Sequence, residues 1–174
     1  MTTNNKTQVI AETDKQELFI IREFDAPREL VFKAFSTPEI MVQFHAPFGF
    51  KMKFNYADYK NGGSYSWSHS DNDGNILCTF KGVIHEIISP ERIIQTSELE
   101  GLPEGGHIVL EAFTFETLSA GKTKLTIQDV CRSVADRDAM VETGFESGLV
   151  IIFEQLDELT KSGLKYADNS ICEV

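Results

Sequence analysis

Residues 64–70 read SYSWSHS, with Ser64, Ser66, Ser68 and Ser70 alternating one for one with Tyr65, Trp67 and His69. Successive side chains of a β-strand point to opposite faces, whereas a helix would scatter both sets around its circumference. The stretch therefore reads as a strand with a small hydroxyl face and a large ring face. Polar-tipped rings on one face line either an ordinary sheet core or the wall of a cavity that accepts an apolar molecule.

The period of two extends outward from this strand. Upstream, FKMKFNYADY (50–59) leads into it through Asn61-Gly62-Gly63. Downstream, Asp71-Asn72-Asp73-Gly74 closes a hairpin onto ILCTFKGVIHEII (76–88). Then follow RIIQTSELE (92–100), HIVLEAFTFET (107–117) and KTKLTIQDVCR (122–132), separated by Ser89-Pro90, Gly101 to Gly106, and Ala120-Gly121. The acidic turn at 71–74 is no calcium loop: an EF-hand needs glycine at its sixth position and an acid at its twelfth, where this chain has Ile76 and Gly82.

Before these strands, ELFIIREF (17–24) is rich in β-formers and stops at Asp25, placed to cap a helix with Pro27 in its first turn. That helix runs to about Ser36 with Leu30, Val31, Ala34 and Phe35 on one face. A second short helix starts at Thr37-Pro38 and carries Met41, Val42 and Phe44. At the other end, Val141, Phe145, Leu149, Ile152, Leu156 and Leu159 recur at spacings of three and four. They predict one continuous helix from Ala135 to about Ser162, roughly 40 Å long. Seven strands at about 4.8 Å make a sheet roughly 29 Å across, so this helix can lie over all of it. The predicted class is α+β, a curved antiparallel sheet with one long helix on one face. Residues 1–14 and 164–174 read as loose tails around a single domain at 15–163.

The 174 residues are 41% hydrophobic and 25% charged, the balance of a soluble globular domain. With 16 basic and 27 acidic side chains the formal charge is −11, which excludes nucleic acid and anionic membrane as expected partners. The three cysteines, Cys78, Cys131 and Cys172, are odd in number and far apart, against a disulfide framework or zinc site and in favour of a reducing cytoplasm. The amino terminus lacks the apolar core of a signal peptide, and the longest apolar run, LVIIF at 149–153, is far short of the roughly 20 residues of a membrane span. His45, His85 and His107 show no metal-ligand spacing, and no nucleophile elbow or phosphate loop occurs, so no metal, no cofactor and no catalytic residue is assigned.

DAPRELVFKAFSTPEIMVQF (25–44), DYKNGG (58–63) and GFESGLVIIFEQLDEL (144–159) resemble the family named for the activator of Hsp90 ATPase homologue, within the START and Bet v 1-like (SRPBCC) superfamily. The resemblance covers about 17–162. Ala26-Pro27 match the opening of the family's first helix, and Asp58, Gly62 and Gly63 match its turn, with Lys60 where arginine is usual. Tryptophans frequent in the family's short helices are absent, with Phe32 and Phe44 in their places.

The resemblance implies a helix-grip fold, with a bent sheet wrapped around the carboxy-terminal helix and a hydrophobic cavity between them. The rings of Tyr65, Trp67 and His69 would then line the groove while the serines face water. Asp129 and Cys131 continue the face of Leu125 and Ile127, and Phe113 joins them from the preceding strand. From the helix come Val141, Gly144, Phe145 and Gly148, the two glycines either leaving room for a ligand or letting a strand pack closely. Such a pocket would bind a small hydrophobic molecule: a lipid, polyketide or aromatic metabolite. An alternative is a cyclase or dehydratase using His69 with Asp129 or Glu86 as acid and base. A third is a co-chaperone-like interaction protein. The chain is expected as a monomer or homodimer.

Overall fold

The computed structural model describes residues 7–164. Eight strands form one antiparallel sheet: β1 (Gln8–Ile10), β2 (Glu17–Phe24), β3 (Lys51–Ala57), β4 (Ser64–Ser70), β5 (Ile76–Ile88), β6 (Arg92–Leu99), β7 (Ile108–Leu118) and β8 (Lys122–Val130). Their spatial order is β1-β2-β8-β7-β6-β5-β4-β3. Helices α1 (Arg28–Ser36) and α2 (Pro38–Met41) stand between β2 and β3, and α3 (Val134–Glu142) and α4 (Phe145–Lys161) follow β8. This is the expected α+β helix-grip layout with one strand more than the seven counted. The extra strand lies in the stretch read as a loose tail, where Gln8 pairs with Ile21 and Ile10 with Phe19. Three residues are too short to show a period, and the partner strand supplies the order. Residues 165–174, most of the other predicted tail, lie outside those described.

The predicted continuous terminal helix is two helices. Gly144 has φ 72°, the left-handed conformation in which glycine commonly ends a helix, and α4 restarts at Phe145. The apolar spacing of the sequence runs on across the break, but Val141 on the α3 side is exposed and the buried apolar residues of the stripe belong to α4. With 17 residues, α4 is about 25 Å long.

The expected cap at Asp25 also differs. Pro27 occupies the N-cap of α1 without a side-chain bond, and Asp25 instead pairs with Lys122 at 2.8 Å. The start of α1 is tied to the sheet by Thr123 Oγ1, which donates to the Ala26 carbonyl.

Phe35 is the hub of the core. Its ring meets Phe44, Phe113, Phe115 and Phe153 at centroid distances of 5.5 to 6.4 Å, joining α1 to β7 and α4. Phe153 also stands edge-on to Phe24 of β2, and Leu156 is fully buried beside it. Each such side chain contributes roughly 2–3 kcal/mol by leaving water. Between β2 and α4, Arg22 donates to Asp157 at 2.6 Å, an ion pair closed off from solvent.

The ring strand behaves as expected on one face only. Trp67 is flanked by its cross-strand partners Phe54 and Phe80, stacking on the latter at 4.6 Å. The serines, however, do not all face water: Ser66 and Ser68 are each only 5% exposed. A bulge between Phe54 and Tyr56 turns Asn55 over them, and its amide donates to both hydroxyls. Ser68 and Thr79 share a further hydroxyl bond at 2.8 Å.

Candidate functional site

A cavity of about 70 Å³ lies between the α1–α2 segment and the concave faces of β4, β6 and β7. Phe35, Met41 and His45 cover it; Tyr59 and then Tyr65 and Trp67 close one side. Ile93, Gln95 and Ser97 from β6, with Glu111 and Phe113 from β7, form its floor. Half of this wall is polar, unlike the mainly apolar pocket expected.

Strand register explains the floor. Gln95 is the cross-strand partner of Glu111, and Glu111 of Asp129, so the three stand in one row on the concave face. In the next row stand Ile93, Phe113 and Ile127. The polar row was legible in principle: Glu111 shares the parity of Phe113 and Phe115, and Gln95 that of Ile93, yet both are polar. Sequence reading had also passed over Tyr59, His45 and Ser97.

Gly82 on β5 makes the Tyr65 wall possible. A Cβ there would sit 1.9 Å from the Thr96 carbonyl oxygen and 2.6 Å from the Tyr65 hydroxyl. The bare backbone lets the phenol cross β5 and donate to that carbonyl at 2.8 Å. Burial, with Glu111 nearby, pushes both Tyr59 and Tyr65 well above the ordinary phenol range, so both remain protonated.

Of the predicted lining residues, Tyr65, Trp67 and Phe113 meet at the cavity. His69 does not line it; Nε2 donates to the His45 carbonyl at 2.8 Å, holding the cover segment. Burial lowers His69 and, together with His69 itself, takes His45 down to about 4, so both imidazoles are neutral at pH 7. Asp129 and Cys131 are buried on the expected face but stand behind the lining.

No residue of α3 or α4 lines the cavity, which corrects its expected position beneath the terminal helix. Val141 is exposed, and Phe145 packs at the core's edge. A Cβ at Gly144 would meet nothing within 4 Å, and one at Gly148 only Pro47 at 3.6 Å, so neither glycine makes room for a ligand in the cavity. Instead α4 reaches the site through Gln155, whose amide donates to the carbonyls of Phe44 and Ala46 and pins the cover from above.

The acid–base pairs considered from the sequence do not assemble. His69 is held by the His45 carbonyl, and Glu86 is paired with Arg92 at 2.7 Å. What does assemble is a pair of carboxyls. Glu111 accepts from Gln95 Nε2 at 2.7 Å, and burial pushes it up to about 7. Asp129 is raised well above the carboxylate range by burial and by Glu111. Among the described residues no lysine, arginine or histidine pairs with either, and no three His, Cys, Asp or Glu side chains gather as a metal would require.

Residues 25–161 match the family described as activator of Hsp90 ATPase homolog 1-like protein. The chain belongs to this family. No curated protein matches it. A solution structure of an Arthrobacter aurescens protein is similar at 18% identity and TM-score 0.77, covering 96% of this chain and 98% of that one. A Nitrosomonas europaea protein is similar at 24% identity and TM-score 0.74, covering 87% and 97%. DynU16, a protein of the dynemicin biosynthetic locus, is similar at 19% identity and TM-score 0.60, with 86% of this chain matched to 48% of that one. These likenesses establish the SRPBCC-type fold, which is consistent with ligand binding. No helix among the described residues is long and apolar enough to cross a membrane.

Proposed function

We propose that this protein binds a small molecule head-first in the cavity between the α1–α2 segment and β4, β6 and β7. The observation that carries the reading is a hollow lined by rings on one side and hydrogen-bonding groups on the other, inside a domain whose core is otherwise packed with aliphatic side chains and phenylalanine. A site of this kind orients a ligand through few polar contacts and gains affinity from the apolar ones.

Size limits the ligand. About 70 Å³ is well below the roughly 300 Å³ at which sites for whole drug-sized molecules begin. The cavity therefore takes a head group or a small metabolite, and a lipid or polyketide enters only if Met41 and His45 swing outward. That cover is held by a short list of bonds, from His69 and Gln155, to the carbonyls of residues 44–46. Because DynU16 belongs to a biosynthetic locus, natural products are worth including in a ligand screen.

Trp67 is the single tryptophan of the chain and stands in the wall, so its fluorescence reads the site without labelling. A screen of small polar-headed aromatics and aliphatics by Trp67 emission, thermal shift and native mass spectrometry should yield saturable 1:1 binders. If no compound shifts either emission or melting temperature, the binding reading fails.

A further inference from the structure

Resting on that reading, we propose that the head group is a small organic cation, a primary or methylated ammonium, held by Glu111 with Asp129 behind it and faced by Tyr59, Tyr65 and Trp67. Two carboxyls as cross-strand partners on one concave face are a costly arrangement, since neither charge is readily desolvated beside the other. The chain answers it with a single amide donor, Gln95 to Glu111. Asp129 is 6% exposed, and its Oδ1 has no hydrogen-bond partner at all.

The site thus lacks one positive charge. No lysine or arginine is among the cavity's lining residues, and both histidines near it are held neutral. The chain supplies that charge elsewhere: the buried Asp157 faces Arg22 at 2.6 Å. Aromatic rings attract a neighbouring ammonium through the negative faces of their π-systems, an attraction that a neutral head group does not share. An anion would be repelled by the carboxyls, and the formal charge of −11 enriches cations around the whole molecule.

Without ligand, a proton fills the vacancy by neutralising one carboxyl of the pair. The cation replaces that proton, so binding releases a proton and strengthens as pH rises through the range in which Glu111 ionises. The groups that face Glu111 are Asp129 from β8, Tyr59, Tyr65 from β4 and Gln95 from β6. Of these only the carboxyl pair changes charge between pH 6 and pH 8.

Butylammonium, butan-1-ol and butyrate share one chain and differ in the charge of the head. Titration of the intact protein with each, followed by Trp67 fluorescence and backbone amide shifts, should give butylammonium a Kd at least tenfold lower than butan-1-ol at pH 8. That preference should shrink several-fold at pH 6. Glu111→Gln should level ammonium and alcohol; if the variant does not fold, Asp129→Asn and the wild-type pH dependence carry the test. Equal Kd for ammonium and alcohol, or preference for butyrate, overturns the cation while the pocket stands. No response to any of the three overturns both.

Discussion

The concave face of the sheet has two halves that treat buried acid in opposite ways. On the β2–β8–α4 half, Asp157 is met by Arg22, and Phe24, Phe153, Leu125 and Leu156 fill the space around them. On the β4–β6–β7 half, Glu111, with Asp129 beside it at the end of β8, meets no cation, and a hollow remains under α1 and α2. The chain neutralises one buried carboxylate with its own arginine on β2, next to the strand that carries Asp129, and supplies no such charge to Glu111 and Asp129. Solid packing and internal neutralisation go together in one half; vacancy and missing charge go together in the other.

The largest effect is expected from Asp157→Ala, which strands the Arg22 guanidinium in the core and should cost about 3–5 kcal/mol in chemical denaturation. A loss below about 1 kcal/mol would erase the contrast, because Arg22 would then be no structural counter-charge. Next, Gly82→Ala should cost about 3 kcal/mol and free the Tyr65 hydroxyl from Thr96, since a methyl cannot occupy space 1.9 Å from a backbone oxygen without moving β5 or β6. An unchanged melting temperature would mean that the hollow half is loosely held.

Glu111→Gln should act with the opposite sign. The folded protein raises Glu111 from its ordinary 4.5 to about 7, so the native state holds the proton that the unfolded chain releases. Stability from this group is therefore complete below about pH 4.5 and is lost as pH climbs to about 7. The amide variant should match wild type near pH 4 and exceed it at pH 8 by about 1–2 kcal/mol, as Tm against pH will show. Asp157→Asn should instead lower stability, because it leaves the buried Arg22 guanidinium without its counter-charge. The smallest effect should come from Gly144→Ala, about 1 kcal/mol, from the left-handed backbone at an otherwise unobstructed position.

How far the sequence could be read depended on whether a signal was local. SYSWSHS and the strands around it declare themselves, because parity along one strand decides which side chains share a face. The eighth strand was missed, since three residues of β1 are ordered only by pairing with β2. The break before α4 was passed over because Gly144 interrupts the backbone without interrupting the apolar spacing. Asn55 could not be placed over the serines from sequence, as a bulge arises from the pairing of two strands.

Alternation, turn residues and the matched segments were enough to settle the α+β class, the inward rings of Tyr65 and Trp67, and the family, since each is carried by residues near one another in the chain. Where the hollow lies, and that Gln95, Glu111 and Asp129 form a row without a cation, depended on the register of β6, β7 and β8. Register is an agreement between segments far apart in the chain, and desolvation depends on everything packed around a group, so neither is written in any single stretch.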